Sequence, residues 1–229
     1  MSSRKRKKQI EEMAARACAK LAEERRPYKE IYELLENGSD EELSARIDRA
    51  AAEGSDILHY LDEYGFQLIH SAARMNRAAA LAPLMRAGFG VNDKGGEGGR
   101  TPLHIAAGHG AAEAVQELVA LGADVRARDA DGNTPMHSAA CYTKETDDKK
   151  FETIKILLDA GADPHAKDVF RLEPINWFGT KQAQRRFLAL TGGESEGGLP
   201  PRYEFTYDYD GRLILAVNDK SLRYGKIVD

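Results

Sequence analysis

The chain has 229 residues, 42% hydrophobic and 31% charged, a balance that supports a packed core and excludes a disordered chain. No stretch approaches the roughly 18 uninterrupted apolar residues of a membrane span, and the basic run Arg4–Lys8 leads into Glu11, Glu12, Arg16 and Lys20 rather than an apolar segment, so no export signal is expected. The net charge is −4; the first eight residues carry five positive charges, leaving −9 on the rest, which argues against broad nucleic-acid binding.

From Gln9 to Arg26 the apolar residues Ile10, Met13, Ala14, Ala17 and Leu21 step by three and four, the pattern of an amphipathic helix that Pro27 stops. A second helix is expected over Tyr28–Glu36, on Ile31, Leu34 and Leu35, ended by Asn37-Gly38. Ser39-x-x-Glu42 has the form of a capping box and opens a third helix through Ala52. Gly54 precedes Gly88 by 34 residues, so Asp40–Gly65 is expected to be an eroded first copy of a repeated unit.

The repeated unit is plain further along the chain. Thr101-Pro102-Leu103-His104-Ile105-Ala106-Ala107 returns 33 residues later as Thr134-Pro135-Met136-His137-Ser138-Ala139-Ala140, and 34 residues earlier, weakened, as Gln67-Leu68-Ile69-His70-Ser71-Ala72-Ala73. Thr101 and Thr134 have the chemistry of helix N-caps, and Pro102 and Pro135 suit a first helical position that has no bond for an N–H to make. Second helices are expected on Val115, Leu118 and Val119 and on Ile154, Leu157 and Leu158; Gly122 and Gly161 stand where a left-handed residue ends each. Asp131-Gly132-Asn133 is a turn between copies. The third copy carries six extra residues within 142–150, expected to lengthen the link between its helices as a surface loop or a specificity loop. A last, truncated copy keeps only Glu173-Pro174-Ile175-Asn176-Trp177.

After a Gly-rich linker to Pro201, Tyr203, Phe205, Tyr207 and Tyr209 alternate with polar residues, Asp210-Gly211 signals a turn, and Leu213, Leu215 and Val217 alternate again. A β-hairpin is expected there, as a cover for the last helix pair or as an interaction edge.

The block T-P-L-H-x-A-A, with G-A-D after it at a 33-residue period, resembles the ankyrin repeat. The resemblance implies an all-α ankyrin-repeat solenoid with a helical N-terminal cap and a C-terminal β-hairpin appendage. The units are 1–53 (basic tail, cap and eroded repeat), 54–190 (repeats), 191–202 (linker) and 203–229 (hairpin). It also implies that His70, His104 and His137 tie neighbouring repeats together by hydrogen bonds.

No enzyme, cofactor or metal is expected. His109 and His165 form no metal-ligand spacing, and Cys18 and Cys141 match neither metal nor redox spacing and read as reduced thiols. Gly95–Gly99 lacks the strand and the GK[ST] ending of a phosphate loop, and Asp208-x-Asp210-Gly211 is too short for a calcium loop.

The family binds partner proteins on a concave face, with hairpin tips as fingers and first helices as palm. Carried over by position, the fingers are Lys94, Glu97 and Arg100, then Arg128, Asp131 and Asn133, then Lys167 and Phe170. The palm is Arg74, Met75, His109, Cys141 and Tyr142. Arg128 and Tyr142 are the expected strongest contacts, as residue types that dominate interfaces. The expected partner is a protein of acidic or mixed charge, bound by a monomer in the cytoplasm, or in the nucleus if the basic run is an import signal. Three roles fit: an adaptor or inhibitor, an immunity-type protein that occludes a toxin, or a nucleic-acid-associated regulator tethered by the basic N-terminus.

Overall fold

The computed structural model describes residues 13–192, save 15, 17, 21, 22, 55, 56, 59, 63 and 142–145, together with strands at 203–207 and 213–217. The basic run at 4–8, Tyr142, the linker from 193 and the turn at Asp210-Gly211 lie outside the described residues.

Helices come in antiparallel pairs. They are α1 (Arg26–Asn37) with α2 (Asp40–Ala52), α3 (Leu68–Arg74) with α4 (Ala78–Arg86), α5 (Pro102–His109) with α6 (Ala112–Ala120), and α7 (Pro135–Ala140) with α8 (Asp148–Asp159). A 3₁₀ turn, Pro174–Trp177, pairs with α9 (Lys181–Thr191). First helices stack in one row, α1–α3–α5–α7–3₁₀, and second helices in another, α2–α4–α6–α8–α9. Residues Tyr203–Tyr207 (β1) pair antiparallel with Leu213–Val217 (β2), Phe205 facing Leu215. Among the described residues no helix is long and apolar enough to cross a membrane.

The stack is explained by its small residues. Ala72, Ala73, Ala106, Ala107, Ala139 and Ala140 are fully buried, so backbones of successive first helices approach closely. Leu81, Leu84, Val115, Leu118, Ile154 and Leu157 fill the layer between the two rows. One helix pair cannot cover its own apolar side, so each copy is completed by the next.

Three boundaries differ from the sequence reading. The residues described between 13 and 24 are helical and the chain breaks at Arg25, but Pro27 sits in the first turn of α1 rather than after a stop. Its missing N–H costs nothing there. The eroded first repeat starts at α1, not at Asp40, because Tyr28, Ile31 and Leu35 bury one face of α1 in the core and the helix packs on α3. The insertion does not go wholly into a loop: α8 has 12 residues where α6 has 9, and Asp147 caps the added turn by accepting the Lys150 amide.

The truncated copy ends the stack for a physical reason. The alanine pair is gone, and Phe178 comes after the 3₁₀ turn in an extended conformation, buried between Phe151 and Phe187 at 5.8 and 5.0 Å. A ring at that point leaves no room for another helical turn. Arg186 lies 4.0 Å over the Phe151 ring and pairs with Asp148 at 2.8 Å, closing α9 onto α8.

Candidate protein-binding surface

The surface is positioned by a buried histidine in each of the three complete repeats. The Thr101 hydroxyl lies 2.8 Å from His104 Nδ1, and the Thr101 amide donates to the same nitrogen at 3.3 Å. Nδ1 therefore accepts, and Nε2–H is free to donate to the Asn133 carbonyl of the next hairpin at 2.9 Å. His137 repeats the arrangement on Thr134 and donates to the Leu172 carbonyl at 3.1 Å. His70 bonds the Asp93 and Arg100 carbonyls, but Gln67 replaces the threonine and His70 Nδ1 has no partner. Burial holds all three imidazoles below the usual histidine range, keeping them neutral. The role that the family resemblance gave these histidines is what the geometry displays.

A second device, absent from the sequence reading, shapes the hairpins. Asp62, Asp129 and Asp168 each stand five residues before a helix-capping position. Asp129 Oδ1 accepts the amides of Asp131 and Asn133, and Asp168 Oδ1 those of Phe170 and Leu172. Asp62 Oδ1 accepts those of Tyr64 and Phe66. The Gly-rich hairpin manages with a Gly95–Arg100 bridge instead. Neighbouring tips are then stitched by backbone bonds: Gly96 N–H to Gly65, Ala130 N–H to Gly98 and Val169 N–H to Asp131, at 2.9, 2.9 and 3.0 Å. The recurring aspartate was the available signal.

Between the hairpin strip and α5 and α7 lies a groove of about 330 Å³. Ile105, Gly108, Ser138 and the His109 imidazole line it, and Arg100 and Lys150 supply positive charge around it. Lys150 Nζ donates to the Cys141 carbonyl at 2.8 Å, and burial pushes the Cys141 thiol up, which makes it an inert wall residue. The Trp177 indole stands edge-on to His137 and donates to Asp168 Oδ2 at 3.2 Å. Arg100 Nε is 3.8 Å from the buried Asp129 carboxylate.

The structure brings some of the expected contact residues together and removes others. Arg100 and His109 line the groove, where Trp177 and Lys150, which the sequence did not single out, join them. Arg74 is exposed and reaches the Tyr32 hydroxyl at 3.1 Å, whereas Met75 is half-buried against the core. Lys94, Glu97, Asp131 and Lys167 are exposed on the hairpins, Lys94 bonding the Arg128 carbonyl at 3.0 Å. Asn133 also lines the groove but is only 8% exposed, its side-chain amide donating to Asp129 and its backbone carbonyl accepting from His104, so its first task is to hold the turn. Arg128 needs revision too. Its guanidinium donates to the carbonyls of Gly132 and Lys167, both at 2.7 Å, tying two hairpins. Removing it cannot leave stability untouched. Phe170 is 41% exposed at the fourth tip.

The comparisons agree with this architecture. A family model described as ankyrin repeats, in three copies, matches residues 69–168. The chain is 42% identical to Rabankyrin-5 of Mus musculus over 83 residues, which is 31% of this chain and 7% of that protein. It is 33% identical over 148 residues, 62% of the chain, to Neurogenic locus notch homolog protein 1 of Xenopus tropicalis, and covers 6% of it. Against the Nuclear factor NF-kappa-B p105 subunit of Gallus gallus the identity is 32% over 167 residues, 63% of the chain and 16% of the relative. The chain thus spans under a fifth of the length of these relatives. Ankyrin repeats serve in general as non-catalytic modules for protein–protein interaction, and this chain is an ankyrin-repeat protein.

Proposed function

We propose that the chain is an adaptor or inhibitor that holds one partner protein against its concave face, acting as a monomer in the cytoplasm. The groove between α5, α7 and the hairpin strip carries the reading. It combines an apolar floor with cationic edges on an otherwise acidic chain, the composition expected of a contact surface for a partner of acidic or mixed charge. The rows of buried alanine beneath it keep the surface rigid, so little ordering opposes association.

Filling the groove tests this. Gly108 is half-buried on the floor, and a Cβ there meets only Ser138 at 3.7 Å, so Gly108→Arg places bulk in the groove with α5 intact. Affinity capture from the source cell, analysed by mass spectrometry, should recover one protein in near-stoichiometric amount on the parent and lose it on the variant. Melting temperatures should match. Equal recovery on both would end the proposal.

A further inference from the structure

The hairpins are copies of one turn, so each serves as a control for the others. Three residues after Asp62, Asp129 and Asp168 the backbone turns left-handed. Gly65 and Gly132 do so at φ of 78° and 73°, as Gly99 does at 58° in the Gly-rich hairpin. The fourth hairpin places Arg171 there instead, at φ 62°. A Cβ is disfavoured in this conformation, and arginine has no short polar group to offset it. Among the described residues the Arg171 side chain makes no hydrogen bond or ion pair, so none of them accounts for a strained arginine at this position.

The same tip exposes its apolar residues. Val169 is 60% and Phe170 41% exposed. Nor can the loop relax by opening. Asp168 holds the amides of Phe170 and Leu172 at 2.8 and 2.9 Å and the Trp177 indole, while Val169 N–H is bonded to the neighbouring tip. The tip is a preformed arrangement that keeps a strained residue for its side chain. Of the other charges nearby, His165 bonds Glu173 at 3.0 Å, Lys167 stands 3.9 Å from Glu173 and Asp168 is buried, while Asp131 is exposed on the adjacent tip.

Resting on the protein-binding role above, we propose that Val169, Phe170 and Arg171 form the main contact of this chain, and that they take a protein segment pairing a carboxylate with an apolar side chain. The guanidinium offers an unused fork of donors that matches a carboxylate in two-point contact. Val169 and Phe170 beside it supply apolar area that phosphate or sugar would leave wet.

The test uses the full chain and short synthetic peptides that alternate Glu or Asp with Leu or Phe. Matched sets replace the acids by lysine or the apolar residues by serine, and a single-stranded DNA oligonucleotide is the last probe. The acidic, apolar set alone should bind. Arg171→Gly should weaken it by about tenfold or more, as for a dominant interface residue, with a melting temperature equal to or above the parent's. Phe170→Ser should weaken it similarly. Parent-like affinity in both variants, failure of every peptide set to bind, or preference for the oligonucleotide would each overturn the proposal. Loss of the captured cellular partner on Gly108→Arg, with both hairpin variants retaining it, would keep the concave-face reading and remove this one.

Discussion

Replacing Gln67 by threonine should stabilise the protein. Gln67 precedes α3 with φ −79° and ψ 166°, and Thr101 precedes α5 with φ −81° and ψ 163°, so the backbone is already set for a threonine cap. At Thr101 the hydroxyl reaches the histidine Nδ1 at 2.8 Å; at Gln67 both the side-chain oxygen and His70 Nδ1 are buried without partners. A threonine cap is worth about 1 kcal/mol, and each buried unpaired group costs about 1–3 kcal/mol. Allowing for the packing that the longer glutamine gives up, the net gain is about 2 kcal/mol, or roughly 4–8 °C in melting temperature for a chain of this size. Urea unfolding monitored by circular dichroism reads the gain directly. The control is a cycle with His70→Ala, in which the benefit must shrink to the cap's own contribution of about 1 kcal/mol because the imidazole partner is gone. An unchanged or lower midpoint in Gln67→Thr, or a gain that is undiminished without His70, would refute the reasoning.

The same geometry makes further predictions. Leu118→Ala empties a fully buried site between the two helix rows and should cost about 2–5 kcal/mol; an unchanged urea midpoint would show that the register is wrong. Thr101→Ala should cost about 1 kcal/mol by the same assay. Arg128→Ala severs two 2.7 Å bonds between hairpins and should lower stability by about 1 kcal/mol, discounted for the exposure of the side chain; a parent-like midpoint would return Arg128 to a purely partner-facing role. His70, His104 and His137 have depressed values in the fold, so acid protonates them first in the unfolded chain. Their contribution is complete above the ordinary histidine value and is lost as pH falls below it, each by up to about 1.4 kcal/mol per pH unit. Urea midpoints from pH 7.5 down to about 5 check this, and a flat profile would contradict the burial of neutral imidazoles.

How far the sequence could be read depended on whether a residue's task was local. Thr101, Pro102 and Gly122 act on the backbone they belong to, and Ser39 and Glu42 close a capping box within one turn. Such signals survive without a fold. The start of the first repeat was missed because α1 has no Thr-Pro or alanine pair; it joins the row only through the apolar face of Tyr28, Ile31 and Leu35 against α3. The extra helical turn of α8 was missed because six inserted residues say where length is added, not whether Asp147 will cap a helix with it.

Contact residues were harder for a different reason. Position in a repeat tells which way a residue points when the repeats are alike, and Lys94 and Arg128 occupy matching positions. Yet each commits its side chain to the carbonyl of the next hairpin, Lys94 to Arg128 and Arg128 to Lys167. A long cation at a fingertip is thus claimed by the stack wherever a neighbour's carbonyl is in reach. Arg171 lies beyond that ladder, in the last hairpin of the stack, and holds its place at the cost of a left-handed backbone. Among the described residues Arg171 is a fingertip cation with no bond to a neighbouring hairpin, and that asymmetry becomes visible only once the copies are superposed in space.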